Sequence, residues 1–367
     1  MSVSGEKKRV VMAVTNDLVT DCRVMRHAAA LREAGCEVLL LGRNELGVKC
    51  KKGWKFYAEY NLRLCWRLLR SKADVVWAND TDTLLASYVA AKMRRKKLVM
   101  DAHELFPEVP ELVGREKVKR VWERIERKLM PKCDVLLTVC QSIADYYKEK
   151  YGVEMAVVRN ISDCLNMSML ECLSADVKNT QTIKQSGNPA LHVLLYQGCV
   201  NKGRGVDWAI DALEFLPDCR LVIAGGGDLL EEMKAYAAQK QWADRIQFLG
   251  RLKPEQLEAV TRQANVGLVM LEDMGLSYHY ALPNRIGDFV AAGIPMVVSN
   301  LPEMAAVVNS FGIGSILDGT GARSLAEAVK RVLAREWSEA DFVEARKDMD
   351  WNKEKTKLLE CLNALML

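Results

Sequence analysis

Only 4 histidines occur in 367 residues, and none of the 11 cysteines forms a C-x-x-C pair. A metal site built from clustered Cys and His is therefore not expected. The cysteine count is odd, and Cys36, Cys133 and Cys140 lie in or beside apolar runs, where a thiol acts as a small hydrophobe. A reducing cytoplasm is the expected setting. No apolar run reaches the roughly eighteen residues needed to span a bilayer. The opening MSVSGEKKRVVMAVTND passes from charge into a short β-like run, without the apolar region and cleavage site of a signal peptide. Proline and glycine are sparse, at 9 and 23 residues, while half the chain is hydrophobic, as in a folded protein. The length fits two domains rather than one.

What is present begins with charge. The net +4 conceals an uneven split: residues 1–170 hold 31 Lys and Arg against 22 Asp and Glu, the remainder 21 against 26. A basic N-terminal half favours an anionic partner. Its segments NLRLCWRLLRSK (61–72) and REKVKRVWERIERKLMPK (115–132) are cationic and helical in pattern. They read either as outer helices with an apolar stripe on a sheet or as elements resting on an anionic membrane surface.

Short apolar runs alternate with helical periodicity along the whole chain. RVVMAVT (9–15), EVLLLG (37–42), DVVWAN (74–79), KLVMDA (97–102) and DVLLTV (134–139) predict strands. A helix is expected around 21–34, with Val24, Ala28 and Leu31 on one face and Gly35 closing it. The polar stretch 166–190 reads as a linker or loop. Alternation resumes with LHVLLYQG (191–198), RLVIAGGG (220–227), RIQFLG (245–250), VGLVML (266–271) and PMVVSN (295–300). Alternation of this kind predicts parallel α/β sheets. The expected domains are 1–165 and 191–350, with a last helix from about 351 to 367 crossing back onto the first.

Four segments carry the chemistry. In LLYQGCVNKGRGVDWAI (194–210) a strand enters a glycine turn with Asn201, Lys202 and Arg204, then a helix whose Val206, Ile210 and Leu213 share a face. Amides and cations there favour an anion, although the GxxxxGK[ST] spacing is absent. VIAGGGDLLEEM (222–233) resembles a dinucleotide fingerprint but puts Leu230 where the third glycine belongs, which disfavours a nicotinamide enzyme. Its Gly226 still permits close approach of a ligand at a strand end. In SYHYALPNRIGDFVAAGIPMVVSNLPE (277–303), Pro283 suits a helix's first turn and Gly293 its end. Amides near Asn284 and Arg285 could hold phosphate, and Asp288 could accept from sugar hydroxyls. In VMDAHELFPEVPE (99–111), His103 follows a strand end between Asp101 and Glu104.

Taken in order, DAHEL, QGxxNKGRG, LVIAGGGD, IQFLGRL and ALPNRIGDFVAAGIPMVVS resemble the retaining glycosyltransferases of family 4, across nearly the whole chain. The resemblance implies the GT-B fold: two Rossmann-like domains with parallel sheets facing a central cleft. It implies an enzyme moving a hexose-type sugar from a nucleotide-diphosphate sugar to a glycan or lipid-linked acceptor. The basic N-terminal half leaves a peripheral place on the inner face of the membrane as the other expectation beside the cytoplasm. No cofactor, metal or nucleic acid is implied. His103 matches the histidine beside the transferred sugar, and Arg204 the cation that grips the diphosphate. Arg251 and Leu252 fall where the chain passes the base, after the turn that begins at Gly198. Asp288 matches the second glutamate of Glu-x7-Glu, with Pro283, Asn284 and Arg285 supplying amides between. Tyr280 replaces the first glutamate and Cys199 the usual arginine, with Lys202 as a substitute cation. TNDLVTDCRVMR (15–26) replaces the glycine-rich loop, so Asn16, Asp17 and Arg23 are expected on the acceptor side with Glu104. A sugar-nucleotide epimerase and a non-catalytic sugar-nucleotide binder are the other readings.

Overall fold

The computed structural model describes residues 7–18, 21–161 and 191–366. Its contacts fall into two compact units, Met1–Asn160 with Gly275–Ser277 and Asn352–Leu367, and Ile161–Met274 with Tyr278–Trp351. The expected linker at 166–190 lies outside the described residues.

In the first unit, strands β1 (Arg9–Ala13), β2 (Glu37–Leu41), β3 (Val75–Asn79), β4 (Lys97–Ala102), β5 (Val135–Thr138) and β6 (Ala156–Val157) form one parallel sheet. The order is β2-β1-β3-β4-β5-β6. Strand β3 is buried along its whole length, which explains why it reads as a continuous apolar run rather than an alternation. The helix Cys22–Glu33 buries Val24, Ala28 and Leu31 and ends before Gly35, whose φ of 90° suits glycine. Helices Gly53–Arg70, Thr81–Arg94 and Glu116–Leu129 follow. The first of these starts eight residues ahead of the segment the sequence marked; Lys52 makes no side-chain cap there, so the start left no signal in the sequence. Helix Trp351–Met366 also belongs here from Asn352 onward. Its fully buried Glu354 accepts from Arg159 through the backbone N at 2.9 Å and Nε at 3.0 Å.

The second unit repeats the plan with β7 (His192–Gln197), β8 (Cys219–Ala224), β9 (Ile246–Gly250), β10 (Val266–Val269), β11 (Met296–Val298) and β12 (Gly314–Ile316). These are parallel in the order β12-β11-β10-β7-β8-β9. Successive side chains feed opposite cores: Leu195 joins Phe289 and Val290 on one face, while Leu194 and Tyr196 join Ile210 and Val329 on the other. β6 and β12, with two and three residues, went unrecognised because they are too short to show a period.

Both sheets reverse their strand order beside their first strand. The reversal lies between β1 and β3 in one and between β7 and β10 in the other. Ligands of open α/β sheets bind outside the carboxyl ends of strands at such points.

Candidate active site

At the carboxyl end of the first sheet the chain buries a cluster of charge. Asp101, the penultimate residue of β4, has no exposure and takes Arg23 in a two-point pair, Nη2 at 2.6 Å and Nε at 3.0 Å. His27 Nδ1 lies 3.1 Å from the same carboxylate. Burial alone would raise the Asp101 carboxyl, but Arg23 and His103 around it hold it well below the usual range. His103 follows two residues later. Its ring nitrogens stand 3.4 Å from Asp80 Oδ2 and 3.4 Å from Asp101 Oδ2, and its backbone N donates to Asp80 Oδ1 at 2.8 Å. Burial would strip the imidazole of its proton, yet the two carboxylates override it and raise its pKa to about 9. Burial and Arg23 lower His27 to about 4, so the two histidines carry different charges at neutral pH.

Asp80 pays for this position with an uncommon backbone, φ 61° and ψ 167°, at the start of helix Thr81–Arg94. Two residues on, Asp82 is buried, accepts from Thr15 Oγ1 at 2.7 Å and is pushed up to about 8 by burial and by Asp80. Thr15 in the loop after β1 and Asp82 in the first turn of helix Thr81–Arg94 after β3 bridge the two strand ends, so they stand at the reversal point.

One acceptor-side expectation needs correction here. Arg23 lines no surface: it is buried, and its third contact is to Val158 O at 2.6 Å. Asn16 spends its amide on its own loop, donating to Asp21 Oδ2 at 2.7 Å and accepting from Leu18 N at 2.8 Å. Asp17 faces Arg43 at 3.3 Å. Glu104 sits half-buried beside His103.

In the second unit the loop after β7 and the loop after β8 zip together. Gly198 N donates to Ala224 O, Val200 N to Gly226 O, and Asp228 N to Asn201 Oδ1 at 2.9 Å. The three glycines of this corner therefore serve the chain itself. A Cβ on Gly225 would lie 1.7 Å from Gly198 O, and one on Gly227 would lie 2.3 Å from Asn201 Oδ1. Gly226 makes room for the Arg251 side chain, 2.9 Å from where its Cβ would be. Asn201 likewise holds the loop with its carbonyl oxygen.

Around that corner the polar groups divide in function. Arg204 lies over the Tyr278 ring at 4.8 Å, and its Nε is buried with no hydrogen-bond partner. Lys202 is exposed on the same turn, and Leu252 packs partly against the core. Arg285 is a brace instead: it is buried, stacks on Tyr196 at 4.9 Å and donates to Gln197 O at 2.8 Å. Asp288 accepts from Gln197 Nε2 at 2.8 Å, and Gln197 in turn accepts from Thr261 Oγ1 at 2.9 Å. Gln197 is thus a positioning residue that sequence reading missed; its place as the last residue of β7 was the available signal. Helix Arg285–Ala292 begins two residues after Pro283, with Asn284 as its exposed cap, correcting the expected start. Gly293 ends it at φ 70° as expected. Tyr280 is half-buried with its ring 5.0 Å from His279.

Residues 179–355 match the family described as Glycosyl transferases group 1, and residues 23–164 match Glycosyltransferase Family 4. The chain belongs to the family 4 glycosyltransferases. Solved structures agree at the level of fold. Sucrose-phosphate synthase from Thermosynechococcus elongatus superposes with a TM-score of 0.74 at 16% identity, covering 98% of this chain and 99% of that one. A glycosyltransferase from Rickettsia africae gives 0.71 at 15% identity, with 98% and 99% covered. HepE of Anabaena, in complex with UDP-glucose, gives 0.69 at 13%, with 97% and 99% covered. No curated protein matches the sequence. The fold is GT-B, and the enzyme transfers sugars. Among the described residues of this glycosyltransferase, no group of three or more His, Cys, Asp or Glu is placed to hold a metal ion.

Proposed function

We propose that this glycosyltransferase takes a hexose-type sugar from a nucleotide-diphosphate sugar and passes it, with retention, to an acceptor hydroxyl on a glycan, glycolipid or growing polysaccharide. The observation that carries the reading is Arg204: a guanidinium at the reversal point of the second sheet, with a buried Nε that lacks a partner. A cation held in that way is prepared for an anion, and the diphosphate is the anion that the family resemblance assigns to it. HepE, a neighbour of the same fold, binds UDP-glucose.

In this reading Arg204, Lys202 and the amides at Asn284 and Arg285 take the diphosphate. Asp288, aimed by Gln197, takes the ribose hydroxyls, and the base runs along Arg251 and Leu252. Tyr280 faces the sugar in place of an acidic side chain. The bond from the sugar carbon to the β-phosphate oxygen breaks, and its electron pair goes to that oxygen. The acceptor oxygen bonds to the same face of the carbon and gives its proton to the departing phosphate. No metal is required, because side-chain cations and amides carry the developing charge. His103, cationic at neutral pH, cannot serve as a base; it donates hydrogen bonds and orients the sugar.

The test is the anomeric configuration of the product, read by NMR from a reaction containing EDTA. The same configuration as the donor, at an unaltered rate, is expected. An inverted product, or activity abolished by EDTA and restored by a divalent ion, refutes the mechanism.

A further inference from the structure

Glu126, in the last turn of helix Glu116–Leu129, has no exposure and takes no part in the chemistry above. Hydroxyls hold its two oxygens. Thr81 Oγ1 donates to Oε1 at 2.7 Å, Tyr147 OH to Oε1 at 3.0 Å and Tyr151 OH to Oε2 at 3.0 Å. Lys150, on helix Gln141–Tyr151 with the two tyrosines, pairs with Glu123 at 2.9 Å instead. Burial lifts the Glu126 carboxyl to about 7 against the pull of the three hydroxyls. A carboxyl buried without a paired cation is a poor source of stability, so its effect lies in what it fixes.

What it fixes is the start of helix Thr81–Arg94. Thr81 is buried, and Asp80 before it has φ 61° and ψ 167°, a region that glycine alone enters freely. Backbone in that region persists only where its surroundings over-determine it. On one side β4 holds it: Asp80 N donates to Asp101 O at 2.9 Å, and Asp80 Oδ1 accepts from His103 N at 2.8 Å. On the other, Thr83 Oγ1 makes local bonds to Asn79 O at 2.8 Å and Asp80 O at 3.2 Å. The Thr81 bond to Glu126 ties the same turn to a helix 45 positions along the chain. If the turn relaxed, the Asp80 carboxylate would leave the His103 ring, which now stands 3.4 Å away.

We propose that Glu126 is a positioning residue for sugar transfer, holding the strained turn at Asp80 through Thr81 and so setting His103, without touching substrate. This rests on the reading of His103 as the residue that orients the sugar. Tyr147 and Tyr151 anchor the carboxyl to helix Gln141–Tyr151, and Thr81 is held by the oxygen so anchored.

The test compares two ways of depriving one oxygen of a donor. Thr81→Val removes the hydroxyl on the Asp80 side, and Tyr147→Phe removes the one on the far side. The His103 imidazole is titrated by NMR without donor, and kcat and donor KM are measured separately. Thr81→Val should bring the His103 titration down from about 9 toward the ordinary 6.5. It should lower kcat about tenfold and leave donor KM within about twofold. Tyr147→Phe should leave all three at wild-type values. Glu126→Leu should follow Thr81→Val, whereas Glu126→Gln, which loses the charge but still accepts from Thr81, should match wild type. The charged groups around the ring, Asp80, Asp101 and Arg23, are intact in every variant, so a shifted titration reports position. An unmoved His103 titration in Thr81→Val, or equal losses in Thr81→Val and Tyr147→Phe, overturns the proposal, and this pair decides even if Glu126→Leu fails to fold. A wild-type protein that transfers no sugar would sink the transfer reading, while the hold on His103 would still be read from the titration.

Discussion

His103 is the residue whose state governs the first unit's cluster. The proton that Asp80 and Asp101 hold on it persists to a pKa of about 9, against 6.5 for an ordinary histidine. A raised pKa in the folded state means the associated stability is complete below 6.5 and is lost as pH climbs through 9. Unfolding midpoints in urea followed across that window should fall in wild-type protein, and the fall should be smaller in His103→Gln. Parallel curves for the two proteins would contradict the assignment. Sequence alone placed His103 at a strand end and named Asp101 beside it. It could not see Asp80 or the burial of Arg23, because those pairings join residues 23 and 78 positions apart and depend on which strands become neighbours. The Arg285 side chain was not legible for the same reason: sequence marks the amides near Asn284 and Arg285, and the guanidinium's carbonyl partner, Gln197 on β7, lies 88 positions away.

At the scale of elements, the strands with five or six apolar residues were legible, and so were the helices whose buried positions repeat at three and four. The failures lie where a signal is too short or absent, at β6, at β12 and at the uncapped start of helix Gly53–Arg70. The glycine run after β8 was legible as a special corner, but not for its cause. Its first and third glycines admit the loop after β7 rather than a ligand. Gly225→Ala should therefore cost about 2–3 kcal/mol, since a methyl group there collides with backbone that has no free direction to move. A denaturant titration with an unchanged slope and a lowered midpoint is the expected result. A stable variant that has lost only nucleotide affinity would instead make Gly225 a ligand contact.

For the whole molecule, the order of motifs carried more than any one of them. DAHEL belongs to the first sheet, while the turn at 198–205 and the helix at 285–292 belong to the second. Each marks the carboxyl edge of its own sheet, near the strand reversal. The basic character of the first half was also legible, but which of its apolar helix residues are buried was not, because periodicity alone does not say which of two apolar faces meets the core. The central claim is transfer from a nucleotide-diphosphate sugar gripped by Arg204. It is tested most directly by incubating wild-type protein and Arg204→Ala with UDP-, GDP- and dTDP-sugars, with and without a mixture of glycan and lipid-linked acceptors, and quantifying free nucleoside diphosphate. The account predicts acceptor-dependent release from one donor, reduced at least tenfold in the variant, the weight of one charge-assisted contact of about 1.4 kcal/mol or more. Epimerised donor without release, or binding with no turnover of any donor, would contradict it.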